Sequence, residues 1–266
     1  MKKVFITADI EGVTGVTNWC ETEYGGEGYD DACVQMTREV DAACRAAMEL
    51  GYQVVVKDGH SSARNLKIGQ LPKGVEVIRG WRVSPEGMMG GIDDSFDAVI
   101  CIGYHSPAGM NSNPLAHTID HHMIDAIHVN GQLASELSLN ALYAAQYKVP
   151  TVFVSGDEGI CQHSKEWIPD IETVAVKNCV GNSSWNLHPD DAVDQIYEGV
   201  KKALQAPAKL MEIPSDLHLE MTYTTHQGAR NASWYPGAKL TDVKTVALDA
   251  ASVMDMTIAR VFMMSV

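Results

Sequence analysis

The chain has 266 residues, 45% of them hydrophobic and 20% charged, which is the composition of an ordinary globular protein with a sizeable core. Its 20 Lys and Arg stand against 34 Asp and Glu, a formal charge of −14 with no basic cluster, which argues against nucleic acid or an anionic membrane surface as a partner. The six cysteines (Cys20, Cys33, Cys44, Cys101, Cys161, Cys179) are scattered, form no C-x-x-C pair and in several cases sit in apolar stretches, as free thiols in a reducing compartment do.

The opening MKKVFITAD reaches Asp9 too early for the apolar run of a signal peptide, and no later stretch has the length of a membrane-crossing helix. A cytoplasmic protein is expected. KVFITAD, nearly continuous in β-branched and aromatic residues, predicts a first strand covered on both faces. DACVQMTREVDAACRAAMELG predicts a helix, because Cys33, Met36, Val40, Cys44 and Ala47 recur every three or four residues and Gly51 stands where a C′ glycine belongs. YQVVVKDGH then predicts a second strand, completing a βαβ unit with parallel strands.

Further strands are predicted at VEVI (75–78) and FDAVICIGYH (96–105), and HHMIDAIHVNGQ (121–132) reads as extended with an Asn130-Gly131 turn. ASELSLNALYAAQYK predicts a helix, VPTVFVSGD and TVAVK predict strands, and DDAVDQIYEGVKKALQ predicts another helix. The proline-bearing APAKLMEIPSD (206–216) is the expected boundary between a domain over 1–205 and a subdomain over 206–266 that completes the substrate pocket. Beyond it LHLEMTY, VKTVALDA and a helix from about Ala251 predict a smaller α+β unit. The expected fold is therefore α/β, a mostly parallel central sheet flanked by helices, with a smaller C-terminal α+β subdomain.

Polar residues follow the strands in a telling way. The first strand is followed by Asp9 and Glu11, the second by Asp58 and His60, and the fourth by His105. In an open parallel α/β sheet, ligands bind outside the carboxyl ends of the strands. A carboxylate in a turn is most often solvated, a lone strand-end histidine is most often hydrogen-bonded structure, and DGH can be a simple turn held by Asp58. Their convergence on one edge exceeds what turn chemistry needs, and mixed carboxylate and imidazole donors suit Zn²⁺ or a similar ion. Glu136 opens a predicted helix, where the helix dipole alone would account for it. As a fifth donor it makes a two-metal site reasonable. Asp58 serves either to orient His60 or to close the turn.

DIEGVTG (9–15), VKDGHSSARNL (56–66), IGYHSPAG (102–109), LAHTI (115–119), NGQLASELSLNA (130–141) and VSGDEG (154–159) together form an ordered series. In these stretches the chain resembles the D-aminopeptidase family of zinc peptidases, the dipeptide-transport-associated (DppA-like) group. The resemblance implies that Asp9, Glu11, His60, His105 and Glu136 hold two zinc ions per subunit, with Asp9 as bridge, and that His117 is the catalytic histidine. It further implies hydrolysis of an N-terminal residue, D-Ala or another D-amino acid, from short peptides, and a homo-oligomer, a decamer of two stacked pentameric rings. HQGARNASWYPGA (226–238) is similar to the family only in outline and is expected to shape the pocket. Two other readings compete. DIEGV and SGDEG imitate haloacid-dehalogenase-type Mg²⁺ phosphatases with Asp9 as nucleophile, but the second acid is Glu11 and the histidines are left without work. A non-catalytic zinc-binding ring protein is the third, opposed by the presence of all six site residues.

Overall fold

Phe5 points into one core while Val4, Ile6 and Ala8 point into another, so the first strand is buried on both faces and everything else is layered around it. The computed structural model describes residues 2–265. In chain order the elements are β1 (Lys3–Ala8), α1 (Tyr29–Glu49), β2 (Gln53–Asp58), β3 (Glu76–Ile78), β4 (Ala98–Tyr104), β5 (Ile124–Val129), β6 (Gln132–Leu133), α2 (Glu136–Gln146) and β7 (Thr151–Asp157). They continue with α3 (Glu158–Trp167), β8 (Glu172–Val180), β9 (Ser183–Asn186), α4 (Pro189–Gln205), β10 (Leu217–Tyr223), α5 (His226–Ala232), β11 (Lys239–Leu240), β12 (Thr245–Ala250) and α6 (Val253–Met263).

The main sheet has the order β3-β2-β1-β4-β7-β8-β9, parallel except for β9 at its edge. Helices α1 and α4 cover one face. The other face carries α2, α3 and a second, antiparallel sheet of order β11-β12-β10-β5-β6. The mostly parallel α/β sheet with a smaller α+β unit expected from the sequence is what the chain forms. The second sheet also takes β5 and β6 from the middle of the chain, joined by Asn130 and Gly131 at φ +53° and +78°, the pair of left-handed residues that a tight hairpin turn requires.

Among the predicted elements, β10 spans the expected residues and most others differ at their ends by a few. Helices α3 and α5 and strands β9 and β11 were not expected. Helix α3 is concealed because it follows β7 with no linker, capped by the last strand residue: Asp157 accepts from the Ile160 amide. The poor helix former Gly159 in its first turn hides the signal further. All six cysteines are free thiols, and among the described residues no helix is long and apolar enough to cross a membrane.

Candidate metal centre

The strand order reverses between β1 and β4, and a crevice opens at their carboxyl ends. Strand β1 stops at Ala8, so Asp9 and Glu11 do not share a strand face. Instead the chain turns, with the Val13 amide donating to Ile10 O, and stays stitched to β4: Asp9 N donates to Ile102 O and Gly12 N to Gly103 O, both at 2.8 Å. A side chain at position 12 is impossible here, because a Cβ would lie 1.8 Å from the Tyr104 carbonyl oxygen. Strand β2 delivers His60, β4 delivers His105, and the first turn of α2 delivers Glu136 behind its Ser135 cap.

All six residues singled out in the sequence meet in this crevice. His60 Nδ1 lies 3.3 Å from Asp9 Oδ1 and 3.1 Å from Glu11 Oε2. His105 Nε2 lies 3.3 Å from Asp9 Oδ2 and 3.5 Å from Glu136 Oε1. His117 Nε2 lies 3.6 Å from the same Glu136 oxygen, and its ring stacks on His105 at 4.2 Å.

The outer nitrogens of the three imidazoles decide what the inner ones can do. His60 Nε2 donates to Thr22 O at 2.8 Å, His105 Nδ1 to Ser106 O and His117 Nδ1 to Leu115 O, both at 2.9 Å. A carbonyl only accepts, so these nitrogens carry hydrogen and the neutral rings turn lone pairs inward, towards carboxylates. Acceptors facing acceptors at such distances need a cation between them, either a proton on each ring or a metal ion. Without metal the proton fills the role. Burial opposes charge on His60 and His105, but the field of Glu11 on one and Glu136 on the other, with hydrogen bonds to Asp9, overcomes it and holds both well above the usual histidine range. Burial likewise opposes charge on Asp9, yet hydrogen bonds from His105 and His60 hold its carboxyl well below the usual range.

The donor set fits a transition ion better than protons. Three nearly buried carboxylates share the crevice, and Asp9 Oδ2, Glu11 Oε2 and His105 Nε2 find no hydrogen-bond partner. Two overlapping groups, Asp9–Glu11–His105 and His105–His117–Glu136, have their donor atoms within 4.8 Å of one another. Mixed oxygen and imidazole donors at that spacing could hold a metal ion and suit zinc.

The crevice opens into a cleft of about 530 Å³. Trp19 stacks on His121 at 3.9 Å and meets His117 edge-on, closing one wall. The C-terminal part of the chain contributes Arg260 and Val261. Residues 226–238, expected to shape the pocket, do not line it: α5 packs on the second sheet instead. Asp58 does not orient His60; it accepts from the Asn65 and Leu66 amides and the Asn65 side chain, closing the turn beneath it. A cleft of about 380 Å³ between α3, α4 and residues 206–212 holds no histidine.

Three supporting residues escaped the sequence reading. Lys177 on β8 is buried and donates to the carbonyls of Glu11, Val13 and Val16 at 2.6, 3.1 and 2.6 Å. Glu39 on α1 accepts from the Thr14 amide at 3.0 Å. Asp157 accepts from Ser106 N and Oγ, Asn113 Nδ2 and Ile160 N, and Asn113 also donates to Glu11 O. With its oxygens occupied and its side chain buried outside the cleft, Asp157 is not the late metal-binding acid of a phosphatase. The only sequence signal for Lys177 was a charge inside an otherwise apolar strand.

Comparison with known proteins agrees. A sequence profile of the D-aminopeptidase family matches residues 1–262. The chain belongs to the D-aminopeptidase family. It is 29% identical over 261 residues to a D-aminopeptidase of Bacillus subtilis (strain 168), an alignment that covers 95% of this chain and 93% of that one. Its fold superposes with a TM-score of 0.93 and 27% identity on the Zn-dependent D-aminopeptidase DppA from Bacillus subtilis, described as a self-compartmentalizing protease, over 99% of this chain and 97% of the other.

Proposed function

We propose that the chain is a zinc-dependent aminopeptidase that removes an N-terminal D-residue, D-Ala in the simplest case, from short peptides. The observation that carries this reading is the ring of inward-facing acceptors, three imidazole lone pairs against three carboxylates with three atoms left unpartnered. Asp9, Glu11, His60, His105 and Glu136 would hold two zinc ions, Asp9 between them. Two divalent ions exceed the charge of three carboxylates by one unit, whereas one ion leaves the buried site negative. When bound, zinc lowers the pKa of an attacking water towards about 7 and polarises the scissile carbonyl.

The chain's own residues supply the rest. His117 carries its proton on Nδ1, fixed by Leu115 O, so Nε2 is free to accept a proton from the attacking water and pass it to the departing amine. Trp19 and His105, packed against the His117 ring, keep it from turning away. Glu136 accepts from the Ile119 amide at 2.7 Å, which holds its carboxylate in the cleft. The segment 206–266 completes the pocket through α6. The free thiols support a cytoplasmic location. Exposed Trp185 and Trp234 offer apolar area for subunit contacts, and a homo-oligomer, the decamer of the family resemblance, is the assembly to look for by light scattering.

The test is zinc content of the purified protein beside hydrolysis by wild type and His117→Ala. About two zinc per chain in both proteins, with kcat lowered about 10²–10⁴-fold in the variant, is expected. Loss of zinc in His117→Ala would make His117 a ligand instead.

A further inference from the structure

Arg260 is a cation without a partner among the described residues, in a cleft built from acids. Among the residues that line the cleft it is the sole Lys or Arg, set against Asp9, Glu11, Glu23, Asp120 and Glu136. Among the described residues its guanidinium makes no ion pair and no side-chain hydrogen bond. It stands in the last turn of α6, which packs on α2, the helix that carries Glu136. Burial pulls its pKa below the usual arginine value, countered by the charge of Glu136, and the group stays cationic. A half-buried guanidinium with five donors and nothing to bind is a receptor for a planar anion.

We propose that Arg260 receives the free α-carboxylate of the substrate and so favours peptides with a free C-terminus over C-terminally blocked ones. This rests on the zinc aminopeptidase reading above. Its place in the cleft wall supports it. Asn140 lines the cleft together with Arg260, and it also lines with Arg260 the small hollow behind. Glu136 and Asn140 are about one helical turn apart, about 6 Å along α2. In a dipeptide the terminal carboxylate lies one residue, about 3.5 Å, beyond the scissile carbonyl. A charge-assisted hydrogen bond of about 2.8 Å extends that reach, so the carboxylate can meet a guanidinium that lines the same cleft.

The alternative on the same observations is that Arg260 only balances the charge of Glu136. The two roles separate when D-Ala-D-Ala is compared with its C-terminal amide in the zinc-loaded full-length protein, for wild type, Arg260→Gln and Arg260→Lys. Wild type is expected to prefer the acid by about 10–100-fold in kcat/KM. Arg260→Gln loses that preference through a raised KM for the acid, with the amide turned over as before, and Arg260→Lys recovers part of it. Should Arg260→Gln fail to fold, the wild-type preference and its reduction in Arg260→Lys carry the test. Equal handling of acid and amide by wild type, or equal loss of both in Arg260→Gln, overturns the inference. Wild type inactive on both peptides would instead bring down the aminopeptidase reading, and this inference with it.

Discussion

Replacing Lys177 by Met tests whether the loop that carries Asp9 and Glu11 is held from beneath. The Lys177 ammonium is 2% exposed and satisfies the carbonyls of Glu11, Val13 and Val16, while among the described residues no carboxylate pairs with it within 4 Å. Methionine fills most of the same volume but donates nothing. Glu11 O keeps a donor in Asn113 Nδ2 and Val13 O keeps one in the Val16 amide, so among the described residues Val16 O alone loses every donor. Each lost hydrogen bond to the charged group costs about 1.5–3 kcal/mol. Against this stands relief of a buried charge, worth several kcal/mol. The balance is a net loss of about 3 kcal/mol, the three bonds lost outweighing the relieved charge. For a chain of this size that lowers the thermal midpoint by roughly 6–12 °C. Because Glu11 hangs from one of the released carbonyls, zinc affinity should fall about 10–100-fold, as for other groups that orient metal ligands. Calorimetric melting of the metal-free protein and chelator competition for zinc measure the two effects separately. A variant that melts within about 2 °C of wild type and binds zinc as tightly would refute the reasoning.

Gly12→Ala forces a methyl into the Tyr104 carbonyl, and a loss of about 3 kcal/mol or more in denaturant unfolding is expected. Lys57, bonded to the carbonyls of Asp58 and Gly80, has its pKa pushed down by burial to about 8. The unfolded chain therefore binds the extra proton between about pH 8 and 10.5, so wild-type stability gains from this group as pH rises through that window. Lys57→Met should lack that rise in denaturation curves taken across it. His60 and His105 hold protons above the usual histidine range in the metal-free protein. Their imidazolium–carboxylate pairing stabilises the metal-free fold fully below the unfolded pKa of about 6.5 and is lost as pH rises through the raised folded values. Zinc must displace those protons, so its affinity should climb with pH until the raised folded values are passed, and its binding below them should release protons in titration calorimetry. A flat profile would contradict this. Zinc at about 1,000 times its Kd should add about 4 kcal/mol of stability, removed by chelation.

The site was legible in the sequence because a parallel sheet gathers the ends of β1, β2 and β4 at one edge. Asp9, Glu11, His60 and His105 each stand just beyond an apolar strand, so local pattern and general topology suffice to bring them together. Glu136 and His117 belong to a helix start and a loop. No periodicity singles them out, and His117 is distinguished from His121 and His122 only by family resemblance and by its position against Glu136. What supports the site was not legible, because it is distant in the chain. Lys177 reaches Glu11 across 166 residues, and a lysine in a strand reads as solvent-facing until the opposite layer is known. The same holds for Arg260, whose relevance depends on α6 docking against α2. Strands β5 and β6 read as a hairpin, but nothing local shows that they join β10 in a second sheet.

The most direct test of the account is release of free amino acid from matched D-Ala and L-Ala dipeptides by the protein as purified, after chelation, and after zinc is restored. D-Ala release from the D-peptide in preference to L-Ala from the L-peptide, lost on chelation and recovered with zinc, is expected. No release from either peptide by the zinc-loaded protein, or release that survives complete removal of metal, would contradict it.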